Sequence, residues 1–534
     1  MKGSFRASMD WLHTWTGVVL GAALYMMFLA GTAAVFKEET TTWMTPELGR
    51  SADPAQALAS GQARLQAIAP DARNWSITLP DGRNPSTRIA WQPRAKGEVS
   101  DDTPQKREVL DARTGQPVEA RKTRGGDLFY RLHYRFEITG RNGWWLSGAA
   151  AVGMLVLLVT GVVTHKRIFI DFFTFRPRSN PQRSWIDAHV LLAVLLLPFH
   201  FMITYSGLVP IMSTVMPWGM IANYGDARPA VIQAFDQEAA RRAFQAERER
   251  TPRRKPAGEP MATPALQPFL DRARLQWDGA ARPGRVSVAN PGDRNAVVEV
   301  SSHAEGRLSN RGERLFFEAA TGKLLGASSP PKPVAQTQAV LYGLHMARFS
   351  ATGLRWAYFV AGLGSTAMIA SGMILWSLKR RPKRGDTPMT FGHRFVARMN
   401  VGVIVGLPIA MAGLFWANRL LPVGLADRPK AETACFFLIW AAAGVWAAIR
   451  PLKHLWTEQS IAAALAFGLL PVLNAATTNR GLLPSLAQGD WLMAGFDLTM
   501  VATGAMFAAV AWKMVRWAPA ANRRKAMAPA SSAA

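Results

Sequence analysis

Residues 12–36 read LHTWTGVVLGAALYMMFLAGTAAVF, a run without a single charged side chain. The hydrocarbon core of a bilayer takes about 20 apolar residues in helical form, so this run predicts a membrane-spanning helix. It is too long for the apolar core of a secretory signal and lacks an A-x-A cleavage site, which marks it as a retained span. Working outward, comparable runs follow at 144–165, 186–210, 355–378, 396–417, 433–449, 460–476 and 491–513. The 49% hydrophobic content of the 534 residues is bunched into these runs. The expected fold class is therefore a mainly α membrane protein with about eight transmembrane helices.

Basic residues fix the expected orientation. HKRIF with RPRSNPQR (165–183), KRRPKRGD (379–386), RPLK (450–453) and RRK (523–525) fall on one side if the N-terminus is cytoplasmic, as the positive-inside rule requires. In a bacterial inner membrane the long segments 37–143 and 211–353 then lie in the periplasm. This divides the chain into a first helix (1–36), a periplasmic domain (37–143), helices two and three (144–210), a second periplasmic domain (211–353), helix four (354–380), a further four-helix region (395–515) and a cytoplasmic tail (516–534).

The net charge of +26 is partly a product of this topology. The run RRAFQAERERTPRRK (241–255) reads as a solvated helix face or linker, or as an attractor of an anionic substrate. It lies on the wrong side of the membrane for nucleic acid, which is excluded as a partner; membrane lipid is the expected surround. Cys435 is the only cysteine, so an intramolecular disulfide, a thiolate iron–sulfur cluster and a C-x-x-C-H haem attachment are all excluded. The cytoplasmic loops are too short for a dinucleotide domain, so electrons, if moved, come from a lipid-soluble donor such as quinol or from a separate electron-donor protein.

Six of the nine histidines sit within or beside the first four runs. His13 and His189 each open a run, and a glycine follows each by eighteen residues, at Gly31 and Gly207. His133 and His345 precede the other two, inside RLHYRF and GLHMARF. Histidine is expensive in a bilayer, and paired imidazoles at equivalent places in two repeats point to haem ligation. With no covalent attachment available, the expectation is haem b, two per chain: His13 with His189 on the inner side, His133 with His345 on the outer. His200 lies eleven residues after His189, about 1100° round a straight helix and about 16 Å along it, which puts it on nearly the same face. It competes with His133 and His345 as an axial ligand. His165, next to Lys166 and Arg167, reads as a propionate contact or a surface residue, with ligation as its alternative. No catalytic acid, base or nucleophile stands out, and His303, His393 and His454 read as soluble-domain or loop residues.

The two periplasmic segments look like versions of one α+β unit. ARLQAIAP (63–70) ends a helix, TRIAWQP (87–93) alternates as a strand, and REVLDARTGQPV (107–118) is a strand entering a tight turn. FLDRARLQW (269–277), AVVEVSS (296–302) and RLFFEAATGKLL (314–325) repeat the order. In the turns Asp111 to Gly115 matches Glu318 to Gly322, with an acid and a threonine to bond the local backbone and a glycine to accept positive φ.

WLHTWTGVVLG (11–21), VLDARTGQPV (109–118), LFYRLHYRF (128–136), FEAATGKLLG (317–326) and LYGLHMARF (341–349) with SGMILW (371–376) together resemble the PepSY-associated transmembrane family over about residues 8–380. The resemblance implies two periplasmic PepSY-like domains and an iron-regulated inner-membrane protein. Some such proteins are haem-containing oxidoreductases that release iron from siderophores. The expected function is an inner-membrane b-type haem protein that passes electrons across the membrane to reduce ferric siderophore iron at the periplasmic face. The alternatives are a transporter of iron, siderophore or protons and a non-catalytic PepSY regulatory protein. The tryptophans near predicted boundaries, among them Trp11, Trp15, Trp144, Trp145, Trp356 and Trp376, fit an aromatic belt.

Overall fold

A computed structural model describes residues 4–49, 53–94, 104–111, 114–165, 181–215, 254–303, 306–309, 311–328, 333–380 and 388–516. Most of the basic run at 241–255, and the basic clusters at 166–180, 381–386 and 523–525, lie outside the described residues. Among the described residues, seven helices are long and apolar enough to cross a membrane, and a bent pair brings the number to eight.

The chain runs through two repeats of the same order. In the first, α1 (Phe5–Ala34) crosses the bilayer and a short α2 (Lys37–Met44) follows. A small α+β unit comes next: α3 (Pro54–Ile68), β1 (Asn74–Thr78), β2 (Thr87–Gln92) and β3 (Lys106–Leu110). Then α4 (Asp127–Arg135) leads into the second span, α5 (Asn142–Thr164). In the second repeat, α6 (Pro181–Leu195) and α7 (Leu197–Leu208) form the third crossing. The unit recurs as α8 (Gln267–Trp277), β4 (Pro283–Ala289), β5 (Val297–Ser302), β6 (Arg314–Glu318) and β7 (Leu324–Ala327). It leads through α9 (Pro333–Met346) to α10 (Thr352–Lys379).

The third crossing departs from the expected straight helix. α6 and α7 meet at 65° across Leu196, where Pro198 falls in the first turn of α7. Proline has no N–H to donate backward and clashes with the preceding turn, so one helix ends and another begins. With the helix broken there, His200 does not continue the face of His189 as it would on a straight helix.

The two α+β units do not form separate domains. Their strands make one seven-stranded sheet in the order β3-β2-β1-β4-β5-β6-β7, joined where β1 and β4 pair antiparallel with Trp75 opposite Val288 and Ile77 opposite Val286. Alternate residues of these strands are buried, as a sheet with one covered face requires. α3 offers Leu58 and Leu65 to that face and α8 offers Phe269, Leu270 and Trp277, all in one core with the sheet. Both expected turns form: Gly115 and Gly322 have φ of 69° and 72°, and each donates its N–H at 2.9 Å to the carbonyl of the acid four residues earlier. Asp111 accepts from the Thr114 N–H at 2.7 Å, and Thr321 donates its hydroxyl to Glu318.

The remaining residues form α11 (Phe391–Ile404), α12 (Gly406–Leu420), α13 (Arg428–Ile449), α14 (Leu452–Gly468), α15 (Leu470–Thr477) and α16 (Trp491–Arg516). His393 and His454, expected in loops, lie in the first turns of α11 and α14. This region shares a core with the first repeat through Leu407, Leu414, Phe415 and Phe436 against Leu24, Phe129 and Leu132. A buried polar junction reinforces it at the sheet end. The Glu432 carboxylate accepts from the Arg428 guanidinium at 2.5 Å, Asn418 Nδ2 at 2.8 Å, the Thr123 hydroxyl at 2.6 Å and the Arg124 N–H at 3.0 Å. Trp43 of α2 stacks on Phe496 and donates its indole N–H to Asp497 at 2.9 Å.

Candidate functional site

Four of the six singled-out histidines sit in one repeated seat. His133 Nδ1 lies 2.8 Å from the Met27 carbonyl, and His345 Nδ1 lies 2.9 Å from that of Ile203. His13 Nδ1 lies 3.1 Å from the Leu157 carbonyl, and His189 Nδ1 lies 2.9 Å from that of Met368. Each carbonyl belongs to the residue four before a glycine of the neighbouring helix, namely Gly31, Gly207, Gly161 and Gly372. The imidazole lies over that glycine. A Cβ built there would come within 2.6 Å of His133, 2.7 Å of His345 and 3.2 Å of His13 and His189. Absence of a side chain thus lets the ring reach a carbonyl that already closes a helical turn.

Three seats add a hydroxyl just before the glycine. Thr160, Ser371 and Ser206 donate their own protons to backbone carbonyls at 2.6, 2.7 and 2.6 Å. Their oxygens face His13, His189 and His345 Nδ1 at 3.1, 3.0 and 3.4 Å. Alanine takes this place at Ala30 in the His133 seat.

A carbonyl can only accept, so each Nδ1 carries the proton and each neutral ring leaves Nε2 as a bare lone pair. At the sheet end two such lone pairs face each other. His133 Nε2 and His345 Nε2 are 3.4 Å apart, with the ring planes inclined by 22°. Burial lowers the proton affinity of both rings, His345 to about 3, with the neighbouring His133 as its second cause. Two buried acceptors aimed at one another have no hydrogen bond to make and are arranged for an electrophile between them. Metal–imidazole bonds of about 2.0–2.1 Å call for a separation of about 4 Å between two facing nitrogens, somewhat wider than the 3.4 Å found here. Two neutral imidazoles with fixed tautomers are a donor set that suits haem iron.

At the opposite end, His13 and His189 lie within electrostatic range of each other and of His165, which ends α5. His200 lacks the shared seat. It is fully buried on α7, neither of its ring nitrogens has a hydrogen-bond partner among the described residues, and the Thr204 hydroxyl one turn on is likewise unpartnered. The structure thus brings His133 to His345 and leaves His200 outside that pair. The seats themselves were missed in the sequence, although the dipeptides Thr160-Gly161, Ser206-Gly207 and Ser371-Gly372 signal three of them.

Residues 11–379, which include all six of these histidines, match the family model described as the PepSY-associated TM region. An uncharacterized protein of Pseudomonas aeruginosa, PA4219, is 29% identical over 415 residues, covering 74% of this chain and 97% of the relative.

Proposed function

This chain belongs to the PepSY-associated TM region family, and we propose that it is an inner-membrane b-type haem protein that reduces ferric siderophore iron at the periplasmic face. The observation that supports this reading is the facing pair of Nε2 lone pairs on His133 and His345. These two residues would hold an outer haem, and His13 and His189 an inner one. Haem bound there supplies one-electron chemistry at two depths of the membrane. The four carbonyls hold each imidazole in one tautomer and orientation, which raises its strength as a ligand. The carbonyl-anchored seats argue against ligation by His200 and His165.

The sheet end is assigned to the periplasm and the N-terminus to the cytoplasm, because the basic clusters of the sequence crowd the loops at the other end. Quinol or a separate donor protein would deliver electrons at that other end. Ferric iron is held tightly by hard oxygen ligands and ferrous iron much less so, which makes reduction a means of release. A transport reading draws on the 65° break between α6 and α7, since interrupted helices line many transport sites.

Absorption spectroscopy of detergent-purified protein separates the readings. A Soret band with reducible α and β bands, followed by reoxidation on addition of a ferric siderophore, is the expected result. A colourless preparation from haem-replete cells would overturn the haem reading and favour transport.

A further inference from the structure

The strings YRLH (130–133) and YGLH (342–345) place a tyrosine three residues before each histidine of the facing pair. Three residues are about 300° of helical rotation and about 4.5 Å of rise, so tyrosine and histidine share a face of each helix. Tyr130 on α4 and Tyr342 on α9 lie within electrostatic range of each other. The two repeats thus build a second matched pair beside the histidines.

The tyrosine pair lies on the solvent side of the histidine pair. Lys37 Nζ sits 5.0 Å from the centre of the Tyr130 ring, and Lys37 opens α2, beyond the end of α1 at Ala34. His133 instead reaches Met27 and Gly31, inside that end. Both tyrosines are partly exposed. Arg348 and Tyr134 lie within electrostatic range of Tyr130. Glu38, 3.4 Å from Lys37, offsets part of the positive charge.

We propose that the Tyr130–Tyr342 pair, flanked by Lys37 and Arg348, is the docking point for the electron acceptor, and that it selects an anionic ferric chelate whose iron is held by oxygen donors. This rests on the electron-carrier reading above. Each phenol carries one O–H that can donate to an oxyanion of the chelate. Hydrogen bonds to charged acceptors are the stronger kind. The rings offer faces for the organic arms of the ligand, and the two cations supply attraction that a neutral or cationic complex would not receive. Docking makes and breaks no covalent bond and moves no electron.

Gallium(III) citrate is a redox-inert probe of this site, so its binding is measured independently of electron transfer. Titration calorimetry on the detergent-purified full chain should show binding that weakens as salt is raised. The Y130F/Y342F protein should bind roughly tenfold or more weakly, the loss expected for a hydrogen bond to a charged group, and Arg348→Gln should weaken binding several-fold. Each variant should retain the absorption spectrum of the unsubstituted protein. If the double variant does not purify in folded form, Tyr342→Phe and Arg348→Gln provide the test. Binding within twofold of the unsubstituted protein in these variants would overturn the site. A colourless protein that still binds the gallium chelate through the tyrosines would instead overturn the electron-carrier reading and leave the chelate site standing.

Discussion

His133 and His345 face each other through Nε2 atoms 3.4 Å apart, while the Nδ1 of each is committed to a carbonyl on a different helix. The pair therefore ties together four helices: α4 and α9, which carry the rings, and α1 and α7, which carry Met27 and Ile203. Because the residues come from equivalent points of two repeats, an approximate twofold relation passes between them. The same relation places β1 beside β4 in the sheet.

Substitution of either residue should remove the same spectral component. His133→Ala and His345→Ala are each expected to abolish the outer haem signal, and the double variant should lose no more than either single one. His13→Ala and His189→Ala should behave alike toward the inner signal. His200→Phe should leave both, since His200 has no carbonyl anchor on Nδ1; a bleached component in that variant would return His200 to the ligand set.

The glycine seats make a graded prediction. A methyl group at Gly31 or Gly207 would fall 2.6–2.7 Å from an imidazole, so Gly31→Ala and Gly207→Ala should displace the ring and deplete the outer haem. Gly161→Ala and Gly372→Ala, at 3.2 Å, should shift the inner signal without abolishing it. Overpacking of this kind costs about 1–3 kcal/mol. Haem content per protein, read from the pyridine haemochrome, orders the four.

Glu432→Gln should destabilise the protein by about 3–5 kcal/mol, because it removes the charged partner of Arg428, which is buried with it. It also weakens the hold on Thr123 and Arg124, just ahead of α4. Arg428→Met combined with Glu432→Leu should restore much of the loss. Thermal unfolding in detergent reports both, and an unchanged Tm for Glu432→Gln would remove this junction from the stabilising contacts.

Reporter fusions test the orientation. Fusions at residues 100 and 280 should behave as periplasmic and fusions at 175 and 385 as cytoplasmic. The inverse pattern would put the sheet in the cytoplasm and end the siderophore proposal.

Much of the candidate site was legible in the sequence, because side chains at equivalent places of a repeated chain leave repeated letters. His13 with His189 and His133 with His345 stand out on repeat position alone, and the D-x-x-T-G turn follows from the backbone needs of Gly115. The inner strands were harder to see. β1 is the five residues NWSIT and β4 begins Pro-Gly, a turn signal, so neither shows a long alternating run. Their strand character comes from pairing with each other, a contact between residues about 200 positions apart.

The sequence by itself determined the apolar spans, the twofold repetition of the first 380 residues and the histidines that recur in it, since each depends on local composition or on the recurrence of a motif. The tertiary structure decided which histidines meet, the tautomer each one holds, the union of two α+β units in one sheet and the fastening of the last four helices to α2 and the segment ahead of α4. Those outcomes depend on which backbone carbonyl, glycine or carboxylate another helix brings within about 3 Å, the range of a hydrogen bond, and spacing along one chain does not encode that distance.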